Sequence, residues 1–348
     1  MKLQDRLEGL IFSHYRTVNA VKTTLGVAIG LYCMIILAMP HSAWMVVTTI
    51  VVMSAMPQVG SAVNRAKLRI AGTLVAAAIA YASLFFFGPN PVYIGLTIVI
   101  GTLLFSYMAT DRELGYAGTL AALSLAIMLG YGSASIEDVS WRLVNIIAGS
   151  VIALVVSAVV LPIRAKRKLT LNTATSLAAL AELYNHYRAS DQVSDYMRDM
   201  LYKVYQQIPV QRRLLAESIH ESQHIRMHES SYERLISLQR SLAAILELLF
   251  ETSWRNGSLN TEEEESLLQR FHGHFNGALM ELSDAIRKET RIDTNKTLGQ
   301  LHKLAHELKH FAGLRDIHAS SYLWLHLQMS RELEEVAHYI NSVSRTPS

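Results

Sequence analysis

The chain has 348 residues, 51% hydrophobic and 18% charged, with a mean hydropathy of +0.21, which is too apolar for an ordinary soluble enzyme. Its formal net charge is only +3, and no basic patch interleaved with aromatics is visible, so no nucleic-acid partner is expected. A single cysteine, Cys33, excludes an intrachain disulfide and a multi-cysteine zinc site.

These averages conceal a division. Up to about Leu161 charges are scarce and apolar runs are long; from Arg164 onward Glu, Arg, Lys, His and Gln recur every few residues. The expected organisation is therefore a transmembrane domain over 1–163 and a water-exposed helical domain over 164–348. The first 22 residues carry Asp5, Arg6, Glu8, His14 and Arg16, unlike a cleavable signal. A bilayer core of roughly 30 Å needs about 20 apolar residues per helical span. Six such runs follow, approximately 18–39, 43–63, 68–87, 92–108, 114–131 and 143–161, separated by short turns that force antiparallel neighbours. Lys22, Arg65, Lys67, Arg69, Arg112, Arg164, Lys166, Arg167 and Lys168 fall on one set of flanks, whereas the other holds Arg142 with Glu137 and Asp138. Cytoplasmic flanks collect Lys and Arg, so both termini are expected in the cytoplasm.

Some residues inside these runs are awkward for lipid. The second run is interrupted by Met56-Pro57-Gln58. A proline frees a backbone carbonyl that only neighbouring protein or a water-filled cavity can satisfy, so Pro57 and Gln58 are candidate pathway-lining positions; a span that simply ends at Met56, with a loop beginning early, is the alternative. Lys22 and Arg69 near one end, with Arg142 near the other, are placed to draw an anion into a pathway and hand it through; the same positions also suit snorkelling. Gly26 with Gly30, and Gly149 with Ala153 and Ser157, permit close helix contact.

Arg16, Trp44, the segment Arg69-Ile70-Ala71-Gly72-Thr73, and Trp141-Arg142 with Gly149 together resemble the fusaric acid resistance and aromatic acid exporter family. The resemblance implies a bacterial inner-membrane exporter of small organic anions, typically aromatic carboxylic acids, driven by the proton gradient, with no cofactor. Trp44 would line the route together with the interrupted second span. Plant aluminium-activated malate transporters are similar in layout and imply a rival, passive conduction. Many exporters of the family carry two six-span halves; this chain carries one, so a homo-oligomer in the membrane lipid, most simply a dimer, is expected. Proton coupling calls for a titrating group at membrane depth, and the candidates sit at the margins: His41, Asp111 and Glu113, with Glu137 and Asp138. Asp111-Arg112-Glu113 also reads as a charged turn.

From Arg164 the pattern is that of amphipathic helices. Apolar stripes run through Met197, Leu201, Val204 and Ile208; Leu235, Leu238, Leu242, Ile245 and Leu249; Leu268, Phe271, Phe275, Leu279, Leu282 and Ile286; and Leu301, Leu304, Leu308 and Phe311. Asn256-Gly257-Ser258 reads as a turn, and an all-α bundle of five or six helices is expected, serving oligomerisation or regulation. Two H-E-x-x-H matches, His220 to His224 and His306 to His310, raise the alternative of a membrane-anchored zinc hydrolase, with Glu247 or Glu332 as third ligand. Helical geometry turns these histidines away from the apolar stripes, so no metal is expected there, His220, His224, His228, His306 and His310 being weak candidates for an incidental site. The other histidines read as solvated surface. A scaffold without transport is a further alternative.

Overall fold

The computed structural model describes residues 14–54, 58–111, 114–130, 135–189, 194–251, 262–312 and 317–344. Among the described residues no strand exceeds an isolated bridge, and the chain divides into two compact units, Met1–Arg164 and Ala165–Ser348.

The first unit contains α1 (Tyr15–Leu37), α2 (Ala43–Met53), α3 (Val59–Phe87), α4 (Pro91–Ala109), α5 (Gly115–Leu129) and α6 (Ile136–Val159). Four of them, α1, α3, α4 and α6, are long and apolar enough to cross a bilayer, whereas α2 and α5 are shorter apolar helices. The protein is an all-α polytopic membrane protein. Helices α3 and α6 form the centre: α3 packs on α5, α6 and α4, while α6 also packs on α2 and α1. Local chemistry sets the starts. Pro91 opens α4 behind Asn90, whose side chain accepts from Val92 N at 3.0 Å; Ser135 caps α6 by accepting from Asp138 N at 3.0 Å.

Helix bounds depart from the apolar runs in two places. The run 43–63 is not one span: α2 ends at Met53, and residues from Val59 onward belong to the 29-residue α3. Hydropathy alone misplaced that boundary because Asn64, Arg65 and Lys67 look like a loop yet propagate a helix readily when snorkelling or paired. The second departure is α6, which begins at Ile136 rather than 143; Glu137 and Asp138 occupy its first turn, where the helix N-terminus favours anions.

Burial in this unit is inverted relative to a soluble protein. Ile35, Phe85, Phe86, Val99, Leu103 and Val159 face outward, while Lys22, Thr48, Thr49, Arg69, Thr73, Ser124, Arg142, Asn145, Ser150 and Ser157 are buried. An apolar exterior suits lipid, and it leaves polar groups no partner but one another. Small residues let the backbones approach. A Cβ on Gly149 would lie 2.3 Å from Met45 O, and one on Gly72 would lie 2.7 Å from Ala117 O.

The second unit contains α7 (Ala165–Ala189), α8 (Asp195–Ser218), α9 (Gln223–Met227), α10 (Glu229–Glu251), α11 (Glu262–Lys288), α12 (Thr294–Ala312) and α13 (Ile317–Val343). The stripes read from sequence converge on one core, in which Leu201, Leu238, Leu242, Phe271, Phe275, Leu282, Leu301 and Leu308 are all buried. Asn256-Gly257-Ser258 and the side chain of Phe311 lie outside the described residues.

Gly149→Ala forces a methyl into the α2 backbone and is expected to cost about 1–3 kcal/mol. Gly273→Ala on α11, where nothing lies within 4 Å of the added methyl, is expected to be neutral or slightly stabilising. Thermal unfolding of the two purified variants in detergent checks the contrast.

Candidate functional site

The three cations singled out by position are all turned inward. Lys22 and Arg69 are each 1% exposed and Arg142 is 6% exposed, so none of them snorkels. Each occupies a different helix interface. Lys22 Nζ donates to Ser157 O at 3.1 Å, tying α1 to the last turn of α6. Arg69 sits on the α5-facing side of α3 beside Tyr116, with Thr73 one turn further along in reach of Ser124 at 3.4 Å. Arg142 donates through Nη1 to Ile127 O of α5.

These interfaces lie toward two rims. At one rim Val59 N donates to Ile163 O at 3.1 Å, closing the end of the unit against the start of α3; Lys22, Arg69 and Gln58 belong to this side. Gln58 is the N-cap position of α3, 4% exposed, and its Oε1 finds no partner among the described residues. At the opposite rim His41 Nε2 meets Asp138 Oδ1 at 2.8 Å, and Ser135 Oγ donates to the other carboxylate oxygen at 2.8 Å. That contact staples the α1–α2 turn, where His41 adopts φ 57°, onto the first turn of α6. Asn145 completes the staple by donating Nδ2 to Pro40 O at 2.8 Å.

Not every sequence candidate falls in this polar interior. Trp44 is half-buried and packs on the apolar cluster of Ala76, Leu84, Phe105, Leu129 and Ile146. Asp111 is exposed and accepts from Leu114 N at 2.9 Å at the entry to α5. Pro57 and Glu113 lie outside the described residues. Conversely, the structure adds Asn145, 0% exposed, and the half-buried Tyr116 to the polar interior. Asn145 was visible as the sole amide in the run 143–161; Tyr116 reads as an ordinary interfacial aromatic and gave no signal.

The second unit corrects the histidine readings. The first H-E-x-x-H is not helical: α8 ends at Ser218, His220 and Glu221 lie in the following turn, and α9 starts only at Gln223. Glu221 is a helix cap, its Oε1 accepting from Ala165 N at 3.1 Å and its Oε2 from Lys166 N at 3.3 Å at the start of α7. His220, His224 and His228 are half-buried rather than solvated, and His224 Nε2 bonds Val343 O at 2.8 Å. His306 and His310 are exposed on α12. Glu247 accepts from Tyr205 at 2.6 Å, and Glu332 accepts from Gln328 at 3.0 Å. Among the described residues no group of three His, Cys, Asp or Glu is arranged to hold a metal ion.

Nor are the remaining histidines all solvated. His326 is fully buried and His272 nearly so, packed among Tyr184, Phe271 and Tyr322. The Tyr184 hydroxyl bonds His272 Nδ1, and His326 Nδ1 donates to Tyr322 O at 2.9 Å. Burial drives the His326 pKa down to about 4, because a charged imidazolium has nothing there to replace its hydration.

An inverted membrane bundle with buried cations, joined in sequence to an all-α unit, describes a polytopic membrane protein with a polar interior. The fusaric acid resistance protein family matches residues 16–346, and the chain belongs to that family, one of membrane transporters. It is also 24% identical to the inner membrane protein YeeA of Escherichia coli (strain K12) over 349 residues, covering 95% of each chain.

Two predictions concern the second unit. Glu221→Ala removes the cap of α7 and is expected to cost about 1 kcal/mol, seen as faster hydrogen exchange at Leu169 and Thr170, while Glu307→Ala on the exposed face leaves exchange unchanged. His326 is depressed in the folded state, so the unfolded chain binds the extra proton between pH 6.5 and 4. Stability is therefore full above about pH 6.5 and falls by about 3 kcal/mol as pH drops toward 4. Denaturant titrations of the full chain at pH 7.5 and 5 check this, with His326→Leu expected to flatten the difference.

Proposed function

We propose that this chain is an inner-membrane transporter that exports small organic anions, aromatic carboxylates foremost, through the polar interior of the first unit, and that it is not an enzyme. The observation that carries the reading is the inward burial of Lys22, Arg69 and Arg142 at three successive helix interfaces. Burying three cations in a bundle surrounded by lipid is costly, and an anion passing between them recovers part of that cost. Family membership and the name of the Escherichia coli relative support the transport role and the inner membrane. In this account Lys22, Arg69 and Gln58 receive the anion at the cytoplasmic end, and Arg142 passes it on near the His41–Asp138 contact. Both termini are cytoplasmic, and two copies assemble so that each completes the other's pathway, with the second unit joining or regulating them.

A second reading has its own support. The buried polar residues of the first unit include no Asp or Glu among the described residues, and the described acids Asp111, Glu137 and Asp138 stand at helix ends. A pathway without a titrating group at depth fits passive conduction of anions down their own gradient. His41 and Asp138, in contact at 2.8 Å, are the pair through which protons would couple if export is active.

Cells expressing the chain are expected to accumulate less labelled benzoate or hydroxybenzoate than vector controls, and Arg142→Gln at matched abundance is expected to restore accumulation at least several-fold. An uncoupler that abolishes the difference identifies proton-driven export; flux that survives the uncoupler and follows the solute gradient identifies a channel. Equal accumulation with and without the chain across a broad panel of carboxylates contradicts both.

A further inference from the structure

Arg69 forms no hydrogen bond or ion pair among the described residues, although it is 1% exposed: its Nε and Nη1 are both buried and lack an acceptor. The Tyr116 hydroxyl, buried between the same helices, is a third polar atom without a partner there. Leaving such donors unmatched is costly, and more so for a charged one. The surroundings add positive potential. The Arg65 guanidinium carbon lies 5.3 Å from the centroid of the Tyr116 ring, and Tyr116 is the second residue of α5, so the first-turn amides of a 15-residue helix open at the same place. The helices α3 and α5 touch at Gly72 and Ala117, and Arg69 and Tyr116 lie on the side of that contact toward the starts of both helices. Two guanidinium groups, a helix N-terminus and a phenol donor thus converge at the entry to α5, where Asp111 accepts from Leu114 N at 2.9 Å.

We infer that the α3–α5 interface is an oxyanion-binding site in which Arg69 and the Tyr116 hydroxyl donate to a carboxylate or phosphate oxygen, while Arg65 holds the Tyr116 ring in place and adds charge. The inference rests on the transport reading for its biological meaning but not for its chemistry, since a solute carboxylate and the headgroup phosphate of an anionic lipid satisfy the same donors. Tyr116 is the discriminating residue. A phenol donates one hydrogen bond to an oxyanion and none to an apolar group, so replacing it separates anion recognition from simple filling of space.

The test is ligand-induced thermal stabilisation of the purified full chain in neutral detergent, with benzoate, its uncharged relative benzyl alcohol, and phosphatidylglycerol as probes. Benzoate is expected to stabilise the protein and benzyl alcohol not to. Tyr116→Phe, which removes only the hydroxyl, is expected to weaken the apparent benzoate affinity about ten-fold or more, and Arg69→Lys to weaken it as well. Stabilisation by phosphatidylglycerol alone, lost in Tyr116→Phe, upholds the site and assigns it to lipid. Benzoate affinity equal in the parent and in Tyr116→Phe overturns the site. So does benzoate stabilisation that arises only in Glu113→Gln, because a carboxylate of the chain itself would then own the donors. The accumulation assay run on Tyr116→Phe keeps the two readings apart. Export unaffected by the variant, with benzoate binding also unaffected, removes the site and leaves the exporter; Tyr116-dependent binding with no export by the parent chain removes the exporter and leaves the site.

Discussion

The structure of the first unit depends on one constraint: in a hydrocarbon solvent, a polar group must find its partner inside the protein. Thr49 satisfies it by sharing its hydroxyl proton between Met45 O and Gly149 O, Lys22 by reaching the carbonyl of Ser157, and Asn145 by bridging Pro40 O and Trp141 O. Each of these bonds needs two backbones close together, which is why glycine stands at the crossings and why α2 and α6 meet with no room for a methyl at Gly149. The outward Leu, Val, Ile and Phe side chains contribute little to holding helices together, since lipid tails are as apolar as they are. Packing of small residues and internal hydrogen bonds carry the assembly instead.

The same constraint makes the unmatched groups informative. Most buried polar atoms in a folded protein are paired, and Arg69 is the largest fully buried side chain among the described residues. A buried cation that is merely structural ordinarily meets a carboxylate or a set of carbonyls, as Lys22 does with Ser157 and Arg142 with Ile127. Arg69 has no such partner among the described residues, and the proposed oxyanion site rests on that difference. The second unit follows water's rules instead, with apolar stripes packed inward and charges outward. Its exceptions include the buried Glu264, the paired amides Gln211 and Gln239 and the histidine–tyrosine cluster around His326.

Much of this was legible in the sequence, for definite reasons. Long apolar runs, proline and glycine punctuation and the switch near Arg164 reflect solvent, and solvent leaves its mark on composition; the stripes of the second unit lie in its core because heptad spacing dictates a face. Burial depth was less legible. Lys22, Arg69 and Arg142 stand where snorkelling and inward burial give the same sequence, and only the packing of neighbouring helices separates the two. Motif matching misled at His220-Glu221-Ser222-Gln223-His224, because the pattern presumes a helix and the chain breaks there, leaving Glu221 free to cap α7. The burial of His326 leaves no mark in the sequence, because helical spacing counts apolar residues and misses a neutral imidazole buried as an aromatic.

The central claim is that the first unit has a polar, ion-accepting interior and an apolar exterior, and it is tested most directly by single-cysteine accessibility in intact membranes. Starting from a Cys33→Ser background, cysteines placed at Thr73, Ser124 and Ser157 are compared with cysteines at Ile35, Val99 and Val155 for reaction with a small, negatively charged thiol reagent. The account predicts modification at the three interior positions, slowed by added benzoate, and none at the three lipid-facing ones. Interior cysteines that stay unreactive while the exterior ones react would contradict it.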